Sequence, residues 1–426
     1  METKEIISNN VNTTLIKTDK FKTISFQITF LGEFSQKTAT ARSLLTRLLS
    51  NANKKYPTKK AISNRLLDLY DASFSIMSYP SYKTSITSFN LDIVNQKNVK
   101  STTLTKEALE FLREAIFNPN FENNLFPEKD FQEQKRTLRE NIKNIYNNKN
   151  RYALRQMLRK MAPNEIISVS SIGDLEELDR ITNEELVALY QRMLTEENVS
   201  IHVVGDFEDQ EIIEALSILG PFPVNTKKYP TVSEEEIQVE KVREFSESQH
   251  LNQSKLMMGF RSNINTKSSL FPACLLFNAM YGGIFTSDLS RVVREENSLA
   301  YTIAAQFMSD VKVLVVMAGI DKDKYQFTSD LVIKELERYR EGRIDKDLLE
   351  IARDSILTEL EEVEDNPQQL IGFALRNYLH DLNYTVPGMI EIVKSLTIED
   401  VKAAAQGIYL DTIFLLASED RYDKSI

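Results

Sequence analysis

The chain of 426 residues reads as an α+β protein of two similar domains, facing each other across a cavity. Each is an antiparallel sheet covered by helices on one face. Three observations predict this class. Short runs alternate strictly between apolar and polar residues. Amphipathic helical stretches lie between those runs. The second half then repeats the element order of the first.

The elements come in this order. Ile24, Phe26, Ile28 and Phe30 alternate with Thr23, Ser25, Gln27 and Thr29, a period of two that predicts a half-buried strand. Ala41, Leu44, Leu45, Leu48 and Leu49 share one face of a helix. Phe89, Leu91 and Ile93 alternate with Asn90 and Asp92, giving another strand. Leu104, Ala108, Phe111, Leu112 and Ile116 form a second helical stripe. A long helical pattern starts near Pro127 and places Phe131, Leu138, Ile142 and Ile145 together. Further along, Val311, Val313, Val315 and Met317 alternate as a strand does.

The repeat shows most clearly near the end of each half. Leu175 to Val187 resembles Ile390 to Lys402, with Thr182 matching Thr397. Each threonine has an acid three residues later, Glu185 or Asp400. A threonine N-cap with a carboxylate at that spacing is a capping box, or close to one in the aspartate case. An apolar strand comes after each helix, at Ser200–Asp206 and Thr412–Ser418. Upstream, Leu66 to Phe74 runs parallel to Val293 to Tyr301, and Ile24 to Phe30 matches the strand around Leu256 to Phe260. Two copies of a unit of about 210 residues account for this order. Between them, residues 221–244 hold Pro221, Pro223, Pro230 and the acidic run Glu234–Glu236, with weak periodicity. The expected division is therefore 1–220, a linker at 221–244, and 245–426.

Composition narrows the function. Hydrophobic residues make up 42% and charged residues 27%, the balance of a globular protein rather than a disordered one. The net charge is −10, which disfavours general nucleic-acid binding through phosphate neutralisation. The single cysteine, Cys274, excludes an intrachain disulfide and a cysteine-rich metal site. Only His202, His250 and His380 are available for histidine chemistry, and no two have metal-ligand spacing. Met1 to Asn10 is polar and unlike a signal peptide. Apolar runs such as Val313–Gly319 fall far short of the roughly 20 residues that span a bilayer. The expected compartment is the cytoplasm, with no membrane partner.

One stretch is specific. From Leu276 to Ile303 the chain has Gly282 and Gly283, then Ser287, Leu289, Val293, Arg294, Glu295, Leu299, Ala300 and Tyr301. This combination resembles the second half of the M16 (pitrilysin-type) zinc metallopeptidases, in their short two-domain subfamily, and the resemblance extends over nearly the whole chain. It implies the LuxS/MPP-like metallohydrolase fold. The family usually has glycine before Leu-Ala-Tyr; here Ser298 stands there, so the turn is expected to differ.

An active member would carry His-x-x-Glu-His on the first long helix, two histidines on one helix face for zinc and a glutamate to activate water. Counting back from Tyr56-Pro57 puts Ser43-Leu-Leu-Thr-Arg at that motif. Ser43 and Arg47 occupy the histidine places and Thr46 the glutamate place. Arg47 is a permanent cation and repels a divalent metal. No histidine precedes His202, so a shifted alignment cannot restore the site. The family's third ligand, a glutamate on a later helix, matches Glu140. One carboxylate holds no zinc, and Glu140 reads either as a solvated, ion-paired helix residue or as a functional remnant. Cys274 reads as a small core residue.

The resemblance also implies that Arg294 and Tyr301 project towards the cavity and bind substrate peptide. A guanidinium fork suits a carboxylate or carbonyl, and a tyrosine hydroxyl donates to a carbonyl oxygen. The alternative is that Tyr301 packs in the sheet while Arg294 pairs with Asp288 or Glu295. Gly282 and Gly283 either expose backbone amides to an extended peptide or form a plain C-cap turn.

Two functions are expected. The first is the non-catalytic, substrate-binding subunit of a heterodimeric M16-type peptidase, inactive alone. Its partner would be an M16 chain carrying the zinc motif, so zinc is expected there and no cofactor here. Among bacterial relatives it looks most similar to the motif-lacking member of a Firmicutes pair associated with elongation factor P modification or peptide maturation. The second is a structural or peptide-binding protein of M16 fold with no peptidase role.

Overall fold

The computed structural model describes residues 1–225, 227–236 and 238–419. Packing divides it into two compact units, and neither is contiguous in sequence. The first comprises Met1–Lys143, Val169–Thr231 and Val363–Asp381; the second comprises Asn144–Ser168, Val232–Glu362 and the chain from Leu382 onward. The division at 1–220, 221–244 and 245–426 differs from this at particular places. Phe222 lies in the first unit's core beside Phe30 and Phe117. Two helical segments each pack on the sheet of the other half of the chain.

The first unit's sheet is built from β1 (Glu2–Ser8), β2 (Val11–Lys17), β3 (Thr23–Glu33), β4 (Ser73–Ser81), β5 (Thr84–Val94) and β6 (Asn198–Gly205). Their spatial order is β1-β2-β6-β3-β5-β4. The pairs are antiparallel except β2 with β6, which is parallel. Helices α1 (Gln36–Asn51), α2 (Lys59–Asp68), α3 (Leu104–Phe117) and α4 (Glu128–Asn147) occur in sequence order. After α5 (Lys149–Met161) come α6 (Leu175–Arg180), α7 (Asn183–Glu196) and α8 (Asp209–Leu216). Ile24, Phe26, Ile28 and Phe30 face a core filled by Leu44, Leu45, Phe111, Leu112 and Leu186.

The second unit has β7 (Arg243–Gln249), β8 (Ser254–Ser262), α9 (Phe271–Asn278), β9 (Ala300–Met308) and β10 (Val313–Ile320). Then come α10 (Tyr325–Arg340), α11 (Lys346–Val363), α12 (Pro367–His380), α13 (Val386–Ser395), α14 (Ile398–Gln406) and β11 (Ile408–Ser418). Its strand order is β7-β11-β8-β10-β9, with β7 and β11 parallel. Replacing β2, β6, β3, β5 and β4 by β7, β11, β8, β10 and β9 reproduces the first sheet, β1 apart. Both capping boxes form, Thr182 with Glu185 and Thr397 with Asp400. The internal duplication therefore holds at the level of topology and of caps.

The polar half of the β3 alternation is not solvated. Ser25 and Thr29 are 0% exposed and Gln27 is 6%. They lie beneath α12, whose Leu370, Ile371 and Leu375 pack on Ile16, Val204, Leu31 and Ile86 of this face. Each sheet thus has a cluster of helices on one face and a single helix on the other. In the second unit that helix is α5. Ala153, Met157 and Met161 pack on Met257, Val313, Val315, Phe414 and Leu416. Gly259 allows the approach, since a Cβ there would lie 2.6 Å from the Met157 sulfur. Charge finishes the contact. Arg243 donates to the Met161 carbonyl at 2.7 Å, satisfying the end of α5. Buried Arg261 donates to Glu165 at 2.7 and 2.9 Å and to Asp411 at 3.1 Å. Among the described residues no helix is long and apolar enough to cross a membrane.

Removing Arg261 leaves Asp411 to Arg243 and Thr412, leaves Glu165 without its arginine, and takes away one of the two arginines at the end of α5. Arg261→Met is expected to lower unfolding free energy by about 3 kcal/mol, measured by urea denaturation. A loss below about 0.5 kcal/mol would show that the network contributes little.

Candidate functional site

Helix α1 carries the positions expected at the metal motif. It begins at Ser35, which forms a capping box with Thr38, and buries Leu44, Leu45, Leu48 and Leu49. Ser43 Oγ donates to the Ser171 carbonyl at 3.0 Å, and Thr46 Oγ1 donates to the Ser43 carbonyl at 3.2 Å. Arg47 is half-buried, and burial lowers its pKa from the ordinary arginine value. It remains a cation at any working pH. Glu140, on α4, is exposed and pairs with Lys143 at 3.5 Å, one helical turn away. No described hydrogen bond or ion pair joins it to Ser43, Thr46 or Arg47. Among the described residues no group of three His, Cys, Asp or Glu side chains is placed to hold a metal ion.

A neighbouring interaction was not legible in the sequence. Arg42 is 3% exposed and lays both terminal nitrogens on the Glu197 carboxylate, with Nη1 3.3 Å from Oε2 and 3.3 Å from Thr87 Oγ1. The pair ties α1 to the end of α7 and to β5. Such a pair persists only where both charges are compensated, so it is costly to break. The one available signal was an arginine between Ala41 and Leu44 on an otherwise apolar face.

The remaining candidates for chemistry are dispersed. His202 is fully buried in β6. His380 ends α12 with Nδ1 3.1 Å from Thr231 Oγ1. His250 is exposed just after β7. Cys274 is buried in α9, where burial pushes the thiol far above its ordinary range, so no thiolate nucleophile forms.

In the second unit the stretch from Leu276 to Ile303 forms two π-helical segments, Ala279–Gly283 and Ser290–Glu296. Such segments are rare and tend to occur at functional sites. The first closes with the Ile284 amide donating to the Ala279 carbonyl at 3.2 Å. Gly282 is buried, and a Cβ there would lie 2.7 Å from the Ala305 Cβ on β9. It therefore serves close packing of β9, and only Gly283 of the pair is exposed.

Asp288 organises the second π-helical segment. It is 1% exposed and accepts from Arg291 at 2.7 Å, from the Tyr339 hydroxyl at 2.6 Å and from Arg338. Of the two partners considered for Arg294 in the packed alternative, Asp288 is thus taken up with other residues. Arg294 instead stacks over Phe285, its guanidinium carbon 4.8 Å from the ring centroid. Phe285 is 70% exposed, and it escaped the sequence reading because nothing in its spacing sets it apart. Tyr301, 76% exposed, opens β9 and does not pack in the sheet. β9 is the edge strand, pairing with β10 on one side. Arg294 thus lies in the second π-helical segment, Phe285 in the connection between the two segments, and Tyr301 on the edge strand. Ser298 adopts φ 52°, the left-handed conformation a glycine would supply. A serine held there carries backbone strain that a glycine would not.

Comparison with known proteins agrees with this geometry. The family described as peptidase M16 inactive domain matches residues 180–356. A Bacillus subtilis (strain 168) protein, probable inactive metalloprotease YmfF, is 26% identical over 411 residues, covering 94% of each chain. The crystal structure of a conserved protein from Enterococcus faecalis V583 superposes with a TM-score of 0.93 at 27% identity, covering 99% of this chain and 100% of that one. A peptidase M16 inactive domain from Pseudomonas fluorescens superposes with a TM-score of 0.81 at 17% identity, over 99% of both chains.

Two outcomes are expected. The purified chain dialysed against zinc should retain well under one metal per chain by elemental analysis; tight stoichiometric zinc would overturn the assignment of α1. Ser298→Gly should raise unfolding free energy by about 0.5–1 kcal/mol, read by thermal denaturation, because it relieves the left-handed strain.

Proposed function

We propose that the chain is a member of the M16 peptidase family and the non-catalytic, substrate-binding subunit of a heterodimeric M16-type peptidase, a reading supported by the match of residues 180–356 to the peptidase M16 inactive domain. Its partner is an M16 chain that carries His-x-x-Glu-His and the zinc. This chain contributes no catalytic group: Ser43, Thr46 and Arg47 occupy the motif on α1, with hydroxyls committed to backbone carbonyls and a cation in a ligand place. The observation that carries the reading is the exposed set beside an edge strand. Arg294 lies in the segment that buried Asp288 braces through Arg291, Arg338 and Tyr339, and it stacks on Phe285, while Phe285 and Tyr301 stay largely open to solvent.

An edge strand has unpaired amides and carbonyls on one side, and an extended peptide can pair with them. β9 offers such an edge. The Tyr301 hydroxyl suits a peptide carbonyl, and the Arg294 guanidinium, stacked on Phe285, keeps donors for a second carbonyl or a carboxylate. A peptide held in this way is ordered before the partner's zinc-bound water attacks. The positioning is this chain's share of the chemistry, and the cytoplasm is its compartment in this reading.

The test is reconstitution. The chain is mixed with the M16 homologue bearing the zinc motif, and cleavage of a quenched fluorescent peptide is monitored. Each protein alone should be inactive or nearly so, and the mixture active. Arg294→Ala and Tyr301→Phe should each reduce kcat/KM about tenfold, the equivalent of one lost hydrogen bond to substrate. Wild-type kcat/KM in both variants would remove their assigned role. Tight association without any gain in cleavage would favour a scaffolding role instead.

A further inference from the structure

The two single covering helices are seated by different physics, and that difference points to a moving part. On the first unit's sheet, registered pairing lines up Thr14, His202, Gln27, Asn90 and Ser75 in one row across β2, β6, β3, β5 and β4. Part of the row is bonded. Thr29 Oγ1 donates to Gln27 Oε1 at 3.2 Å, Gln27 Nε2 to Asn90 Oδ1 at 2.8 Å, and Asn90 Nδ2 to Ser75 Oγ at 3.4 Å. His202 does not join. It is 0% exposed, and among the described residues neither ring nitrogen has a hydrogen-bond partner; nor do the buried hydroxyls of Ser25 and Ser200 on the same face. Over it lies Tyr378 of α12, edge to face at 6.4 Å.

The helix reaches this polar face at two small apolar patches. Leu370 and Ile371 meet Ile16 and Val204, and Leu375 meets Leu31 and Ile86. The polar rows run between these patches along β3. Around them, Gln368 donates to Asp92 at 2.7 Å, Lys20 pairs with Glu364 and Asp365, and Thr231 donates to the Leu379 carbonyl at 3.0 Å. By contrast α5 sits on one continuous apolar cluster, and two arginines grip its last carbonyl.

We propose that α12 is a releasable strap on the first unit, which comes off the sheet as a piece when His202 takes a proton. An imidazolium in that place would have two charged donors with no described acceptor bonded to either, a state that burial strongly penalises. The titratable and charged groups near it do not offset this. On the sheet they are Asp92, occupied by Gln368, with Glu33 and Tyr79 farther along the same face. On the helix they are Tyr378, exposed Arg376 and, at its end, buried His380, and beyond its start Glu364 and Asp365, which face Lys20. β2 and β3 present Thr14 and Gln27 beside His202.

Burial holds His202 down at about 4, from the ordinary 6.5. The docked form therefore refuses the proton that the released form accepts. Above pH ~6.5 this group leaves docking unchanged, and each unit below that weakens docking by up to about tenfold until pH ~4, where the effect levels off. Local release of this kind is a sub-global opening and needs no unfolding of the core.

Hydrogen exchange with mass spectrometry on the full chain, corrected for intrinsic rates, at pH 7.5 and pH 5.5 tests the proposal. Protection of residues 367–380 should fall at least fivefold on acidification, while that of residues 149–161 changes less than twofold. In His202→Leu the acid response of 367–380 should disappear. Equal responses of the two helices in the wild-type protein would overturn the proposal, as would an acid response of 367–380 that survives in His202→Leu. The wild-type comparison decides the matter even if the variant does not fold.

Discussion

Everything in this fold depends on the need to cover both faces of each sheet. A sheet with apolar residues on both faces cannot leave one in water, and the cost scales with the area exposed. The helices nearest in sequence cover only one face. The other is covered by a helix drawn from elsewhere in the chain, α5 for the second unit and α12 for the first. The duplicated halves are thus interlaced rather than strung in a line. The same requirement explains why Ser25, Gln27 and Thr29 are buried although polar, and why residues as small as Gly259 matter where a helix crosses. It also sets the chain's asymmetry, since one crossing rests on methionines and arginine pairs and the other on a row of amides, hydroxyls and one imidazole.

Among the described residues the first unit gathers no metal-holding group, and its α1 is firmly built all the same. α1 is capped, amphipathic and firmly seated, and its attachment is electrostatic as well as apolar through Arg42 and Glu197. Nothing about the helix requires a metal for its position. The second unit keeps an exposed aromatic and cationic set on an edge strand, anchored on a buried aspartate that accepts from three donors.

Much of this was legible. Capping boxes at Thr182 and Thr397 are local chemistry, so the letters suffice, and the repeat they mark survives in the strand orders. The α+β class came from periodicity. The replacement of the metal motif by Ser43, Thr46 and Arg47 came from absent residue types. The features that stayed hidden depend on long-range placement. Alternation in β3 says which residues share a face and cannot say what covers the polar one. The passage of 144–161 and 363–381 to other sheets leaves no periodic trace. The π-helical geometry around Gly282 and Arg294 arises from packing against β9, and Phe285 gains meaning only once Arg294 lies over it.

In the function proposed above, an extended peptide binds on the second unit and not at α1. The most direct measurement is a hydrogen-exchange footprint of the isolated chain saturated with a non-cleavable extended peptide. The account predicts slowed exchange at Ala300–Met308, along the β9 edge, and no change over Gln36–Asn51. Protection confined to α1, or none at β9 under saturating peptide, would contradict it.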